Sequence, residues 1–243
     1  MSLFDGIKPD DPNAVGEDTW DLFESVERSF GVDLGDFYSL AGIRVSELAE
    51  RICKLADYSP NEKCLSAAIF YKLRKTLADL FDIPSKSVRP TTPLRQLLPW
   101  RSREKTWRAM QKHLEIEFPG LAFPRGILLL CLIAPVTLLV CAKEFLGLKL
   151  GWTGLIAFSF LLVLPAIFAC RPLARSLPFG CETVGDLAKA ILARNYAVFA
   201  THHGGSAGDD VLSSLRLLIA SEAGVQLSDV LPDTRIPSDL NIY

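Results

Sequence analysis

The residues best equipped for chemistry lie near the C-terminus. His202 and His203 sit in THHGGSAGDD, a few positions before Asp209 and Asp210. Imidazole and carboxylate are both metal ligands, so the pattern admits a metal site. The setting is rich in glycine, however, and reads as a flexible linker ahead of a helix. No metal is expected. His113, the third histidine, has no nucleophile placed to form a catalytic pair. Six cysteines stand at 53, 64, 131, 141, 170 and 181 without a CxxC, which leaves ordinary reduced thiols rather than a zinc site or a disulfide framework. No P-loop, GxSxG, HExxH or dinucleotide-binding glycine pattern is present. The expectation is a chain that is not an enzyme and carries no cofactor.

A second group of residues suits recognition. From Arg89 to Lys112 there are seven basic residues, including Arg95, Arg101, Arg103, Lys105, Arg108 and Lys112, and one acid, Glu104. Next to a membrane segment such a stretch fits anionic headgroups, which give about 1 kcal/mol for each basic residue at the surface. Residues 1–30 hold eight acidic and two basic residues. An alternative therefore has the acidic part docking on the basic part, and the plainest reading makes both solvated helix faces. A net charge of −2 provides no footprint for nucleic acid, which is not expected as a partner.

These groups need elements to carry them, and the middle of the chain is the most legible. Mean hydropathy is +0.25 although 22% of residues are charged, so apolar residues must be concentrated. They fall in two uncharged runs, Gly126–Ala142 and Leu150–Cys170, separated by Lys143, Glu144 and Lys149. The second run can cross a hydrocarbon core of about 30 Å as a helix rising about 1.5 Å per residue. The first is shorter, and snorkelling by Arg125 and Lys143 extends it. Pro135 and Pro165 would kink the helices, which lipid-embedded helices tolerate. Trp152 opens the second run, as interfacial aromatics do. A buried hairpin in a soluble protein is the competing reading, but the flanking chain is too small to cover two such runs.

Basic residues set the sidedness. Arg108, Lys112 and Arg125 precede the first run, and Arg171, Arg175 and Lys189 follow the second. Both termini are then expected in the cytoplasm, with two spans in the cell membrane. The acidic N-terminus lacks an apolar stretch, so no cleavable signal peptide is expected. Neither run carries an ionisable residue, which favours an anchor over an ion pathway. Thr137, Thr153 and Ser159 are the thin support for a transporter built from several hairpins.

The remaining sequence repeats itself. DIPSKSVRPTTPLRQLL (82–98) aligns without a gap on GVQLSDVLPDTRIPSDL (224–240), pairing Val88 with Val230, Pro90 with Pro232, Thr92 with Thr234 and Leu94 with Ile236. RVSELAERI (44–52) aligns on TVGDLAKAI (183–191). A weaker match, at helical spacing, joins Leu22, Val26 and Phe30 to Met110, Leu114 and Phe118. Leu65, Ile69, Leu73, Leu77 and Leu80 make an apolar stripe, as do Val211, Leu215, Leu218 and Ile219. Ser46 ahead of Glu47 and Thr183 ahead of Asp186 are expected helix N-caps. Prolines at 90, 93, 99, 232 and 237 predict extended loops. Trp20 and Trp107 are expected inside the bundles, with an exposed docking role as the alternative.

Taken together the pieces resemble the acyl carrier protein bundle. LRLLIASEAGVQLSDVLPDTRIPSDL is similar to its first helix and long loop, VGEDTWDLFESVERSFGVDL to its second helix and exit, and TVGDLAKAIL to the start of its last helix. The resemblance implies two small carrier-like bundles, one circularly permuted; with the two-helix transmembrane hairpin read from the uncharged runs, the expected fold class is all-α. Residues 60–122 would give the first half of one module and 172–198 its last helices, with the hairpin (123–171) inserted between. Residues 1–58 would give the second to last helices of the permuted module and 207–243 its first helix and loop, after a linker at 199–206. Two arrangements of the terminal halves are open: paired within one chain, or exchanged in a homodimer.

The resemblance also implies a phosphopantetheine-bearing serine in a DSL motif, and no copy has that motif. Counting back from Phe30, the position falls near Gly16; counting back from Phe118, it falls near Glu104. Ser102 lies two residues away, flanked by Arg101 and Arg103. The expected function is non-catalytic binding or tethering of a protein partner at the cytoplasmic face of a bilayer. The alternative is a working acyl or peptidyl carrier modified at Ser102.

Overall fold

A computed structural model describes residues 16–56, 64–122, 133, 137, 175–178, 180–203 and 208–240. The two uncharged runs lie outside the described residues, apart from Ile133 and Thr137. Among the described residues no helix is long and apolar enough to cross a membrane.

The described residues are mostly helical. In chain order the elements are α1 (Glu17–Phe30), β1 (Ile43–Arg44), α2 (Val45–Leu55), α3 (Leu65–Phe81), α4 (Leu94–Leu97), α5 (Arg103–Leu114), α6 (Val184–Arg194), α7 (Tyr196–His203), α8 (Gly208–Ala223) and β2 (Arg235–Ile236). The described residues divide into two units. One contains 16–56, 64–97, 108–119, 180–203 and 208–240; the other contains 98–107, 120–122, 133, 137 and 175–178.

The first unit is built on the internal repeat. In its terminal part β1 pairs antiparallel with β2, Ile43 opposite Ile236 and Arg44 opposite Arg235. The Val45 and Ser46 amides donate to the Thr234 and Pro232 carbonyls at 3.0 and 2.9 Å. In the other part the Val184 and Gly185 amides donate to the Thr92 and Pro90 carbonyls at 3.0 and 2.8 Å. Each threonine also accepts on its hydroxyl a local amide, Leu231 for Thr234 and Arg89 for Thr92, both at 2.8 Å. Arg216 donates from Nε to the Val230 carbonyl, and Arg74 donates from Nε to the Ser85 carbonyl. The same device is made twice: a proline-containing loop satisfies the amides at a distant helix start, which would otherwise have no partner.

Burial follows the repeat. Ile69, Leu73, Leu77 and Ala78 on α3 and Val211, Leu215, Ile219 and Ala220 on α8 are buried. Val45, Leu48, Ala49 and Ile52 on α2 match Val184, Leu187, Ala188 and Ile191 on α6, again all buried. Each large apolar side chain hidden this way contributes about 1.5–3 kcal/mol. Arg194 at the end of α6 reaches Glu222 on α8 at 2.6 Å and donates to Ser221 at 2.8 Å. Gly31 closes α1 at φ 63, and a Cβ there would stand 2.9 Å from Ala197 Cβ on α7. Glycine is required at this close crossing.

Several expectations are corrected. Leu80 is 41% exposed rather than part of the buried stripe. Ser46 lies inside α2, whose N-cap is Arg44; the loop carbonyls of Pro232 and Thr234 do the work a cap would have done, aided by Glu47 accepting the Arg44 amide. Thr183 is a true cap: its hydroxyl accepts the Asp186 amide at 3.2 Å while the Asp186 carboxylate accepts the Thr183 amide at 3.0 Å. Phe118 is buried but lies past the end of α5, because Glu115 turns to φ 52. Its segment is held instead by Asn195, whose side chain accepts the Glu117 amide at 2.8 Å and donates to the Glu117 carbonyl at 2.7 Å. The linker does not begin at 199, since α7 continues to His203 and buries Phe199 and Ala200. Trp20 is 41% exposed, whereas Trp107 is buried as expected.

Candidate functional site

The second unit brings together residues that flank the apolar stretch. Ala122 and Ser176 form an antiparallel bridge, each amide donating to the other's carbonyl at 3.0 Å. Arg103, buried, donates from Nη1 to the Arg175 carbonyl at 2.5 Å and from Nε and Nη2 to the Leu98 carbonyl at 3.1 and 3.0 Å. A buried guanidinium needs such acceptors, because desolvating a charge without them is costly. The Arg175 guanidinium lies 5.3 Å from the Trp100 ring centroid and 3.8 Å from a Glu104 oxygen. Trp100 itself is 46% exposed. A proline turn, a helix start and the chain returning from the apolar stretch thus make one neck of fixed geometry.

The expected basic surface is changed by this arrangement. Arg95, Arg101, Lys105, Arg108 and Lys112 are exposed. Arg103 is not on the surface; it is turned inward to hold the neck. The half-exposed Trp100 and the partly buried Arg175 also belong to this surface, and a tryptophan inside PWRSR was the signal for it. Ser102 is exposed immediately before α5, and its carbonyl accepts the Thr106 amide at 2.9 Å. That makes it the N-cap position of the helix. Its hydroxyl lies 3.4 Å from the Pro99 carbonyl. Gly16 is the N-cap of α1, where no side chain is available to cap or to be modified.

On the first unit, α1 turns Glu17, Trp20, Asp21 and Glu24 to one exposed face. Trp20 packs edge-on against Phe37 at 4.7 Å and Tyr38 at 5.7 Å between centroids, and Tyr38 is 51% exposed. This acidic, aromatic surface can take a cation against the rings as well as against the carboxylates.

Among the described residues the other chemistry-bearing side chains are not grouped as a metal site. His202 is exposed near the end of α7, and Asp209 and Asp210 open α8 beyond residues 204–207, which are outside the described set. Among the described residues no three His, Cys, Asp or Glu side chains are grouped to hold a metal. His113 is exposed on α5. The described thiols differ. Burial, helped by Asp186, pushes Cys181 up to about 12, with Arg194 opposing. Burial and then Glu50 raise Cys53, whereas a hydrogen bond with the Ser66 hydroxyl, 3.0 Å away, and then the Ala67 amide lower Cys64.

No protein family matches the chain, and neither does any curated protein or any solved structure.

Proposed function

We propose that this is a membrane-held, non-enzymatic protein whose two carrier-like modules bind a protein partner on one side of a bilayer. The observation that carries the reading is the placement of the uncharged stretch. Residues before and after it fold into the same unit, and Ala122 and Ser176 pin its two ends together. A stretch that leaves and returns at one point crosses a bilayer an even number of times or not at all. Its lack of charge over Gly126–Ala142 and Leu150–Cys170 favours two crossings, since such length and composition match a hydrocarbon core. The basic residues flanking it favour the cytoplasmic side for both modules.

Partner binding is supported by the exposed face of Trp20 and Tyr38 set among Glu17, Asp21 and Glu24. Tryptophan and tyrosine supply much contact area for little lost conformational freedom, and the carboxylates favour a basic partner. The test is capture from detergent-solubilised membranes by the full chain and by a Trp20→Ala/Tyr38→Ala variant. A protein retained by the first and lost with the second supports the reading, and equal retention of every protein by both refutes it.

The second reading, a working carrier, is favoured by one observation: Ser102 is exposed at the N-terminal end of α5. Intact mass after exposure to coenzyme A and a phosphopantetheinyl transferase decides between the two. A gain of one phosphopantetheine that disappears in Ser102→Ala establishes the carrier.

A further inference from the structure

We infer that the neck is a seat for the phosphate headgroups of anionic lipids, formed by Trp100, Arg101, Lys105 and Arg175. This rests on the membrane-held reading and adds to it a lipid class. Ala122 lies four residues before the first uncharged run, and Ser176 lies six after the second; the bridge between them therefore holds the neck where the chain enters and leaves the apolar stretch. A half-exposed tryptophan with a guanidinium over its ring suits the interface between hydrocarbon and headgroup, where an apolar body and a polar edge are both satisfied.

Charge selects the headgroup. Arg101 and Lys105 are exposed and close in sequence to Trp100, whose ring faces the Arg175 guanidinium, and Glu104 is the one acid of the segment from Arg89 to Lys112. Glu104 is already engaged with Arg175, so it offsets part of one cation and leaves the surface of the neck positive. Arg103 is absent from the seat, because its donors are committed to the Leu98 and Arg175 carbonyls. Its role is to position Arg175. Phosphate diesters at a bilayer surface offer the matching array of acceptors, and each cation near that surface strengthens attachment about five-fold.

The experiment uses the full chain in nanodiscs of phosphatidylcholine with a rising fraction of phosphatidylglycerol, followed by amide hydrogen exchange. Exchange at residues 98–107 is expected to slow several-fold as the anionic lipid rises, while the loop 224–234 stays unchanged. High salt should reverse the effect, as screening shortens the reach of exposed charges. The Arg101→Gln/Lys105→Gln variant should need a many-fold higher fraction of phosphatidylglycerol. Incorporation with no dependence on lipid charge overturns the seat and leaves the membrane-held reading standing. The same slowing by inorganic phosphate in neutral discs overturns it in favour of a soluble ligand. A chain that does not incorporate into discs of either composition overturns both.

Discussion

Ala122 and Ser176 exchange two main-chain hydrogen bonds of 3.0 Å across the whole length of the apolar stretch. Their pairing, rather than any catalytic group, organises the account of this protein. It converts a sequence with a greasy middle into one whose middle begins and ends at a single place, and it sets Arg103, Arg175 and Trp100 around that place.

A second pairing sets Arg44 of β1 opposite Arg235 of β2. The Val45 amide donates to Thr234 on the far side of this pair, so Arg44 and Arg235 stand directly opposite without sharing hydrogen bonds. Their Cα atoms should then be about 4.5 Å apart, within the range that a disulfide spans. An Arg44→Cys/Arg235→Cys variant, with the native cysteines replaced, should oxidise to a monomer that runs unshifted without reductant. A disulfide-linked dimer would instead establish exchange of halves between two chains.

Asn195 is buried and joins three main-chain groups: the Glu117 amide, the Glu117 carbonyl and the Ile191 carbonyl. Replacing it by alanine leaves these groups without the partner they now have. Each unsatisfied buried group costs about 1–3 kcal/mol, so Asn195→Ala should lower unfolding free energy by about 2–4 kcal/mol in chemical denaturation. A change below about 0.5 kcal/mol would show that water replaces the amide there.

The thiols provide a test in pH. Thiolate is the reactive form, so a lowered Cys64 should be alkylated before a raised Cys53 at neutral pH, and Ser66→Ala should slow Cys64. Cys181 should remain unlabelled in the folded protein. Its pKa is raised from 9.0 to about 12, so the folded state keeps its proton where the unfolded state loses it. Stability from this group is complete below pH 9 and falls as pH rises from 9 towards 12. Compared with Cys181→Ala, the native protein should lose stability faster over that window. Parallel stability curves would contradict the buried placement.

Much of the helical frame was legible because the internal repeat carries its own physics. Pro90 and Pro232, Thr92 and Thr234, and Val45 and Val184 occupy matching positions in sequence and make matching hydrogen bonds in the fold. Thr183 was readable as a cap since threonine followed by an acid three residues later is a local signal. Ser46 misled because a serine directly ahead of Glu47 looks like a cap, whereas Glu47 stands three residues after Arg44, the actual cap, and the distant carbonyls at 232 and 234 take the Ser46 and Val45 amides. Arg103 could not be distinguished from its exposed neighbours, because its acceptors at Leu98 and Arg175 are set by tertiary structure. Trp20 looked like core on apolarity alone, and only the packing of Phe37 beneath it leaves the indole outside.

The central claim, that the apolar stretch crosses a bilayer twice and leaves both modules on one side, is tested most directly by cysteine accessibility in sealed membrane vesicles. In a background with the six native cysteines replaced by alanine, Ser39→Cys and Ser228→Cys should react with an impermeant maleimide added to the cytoplasmic face. Gly147→Cys, between the two uncharged runs, should react only from the opposite face or after detergent. Labelling of Gly147→Cys together with the other two in sealed vesicles, or a chain that stays monodisperse in detergent-free buffer, would contradict the account.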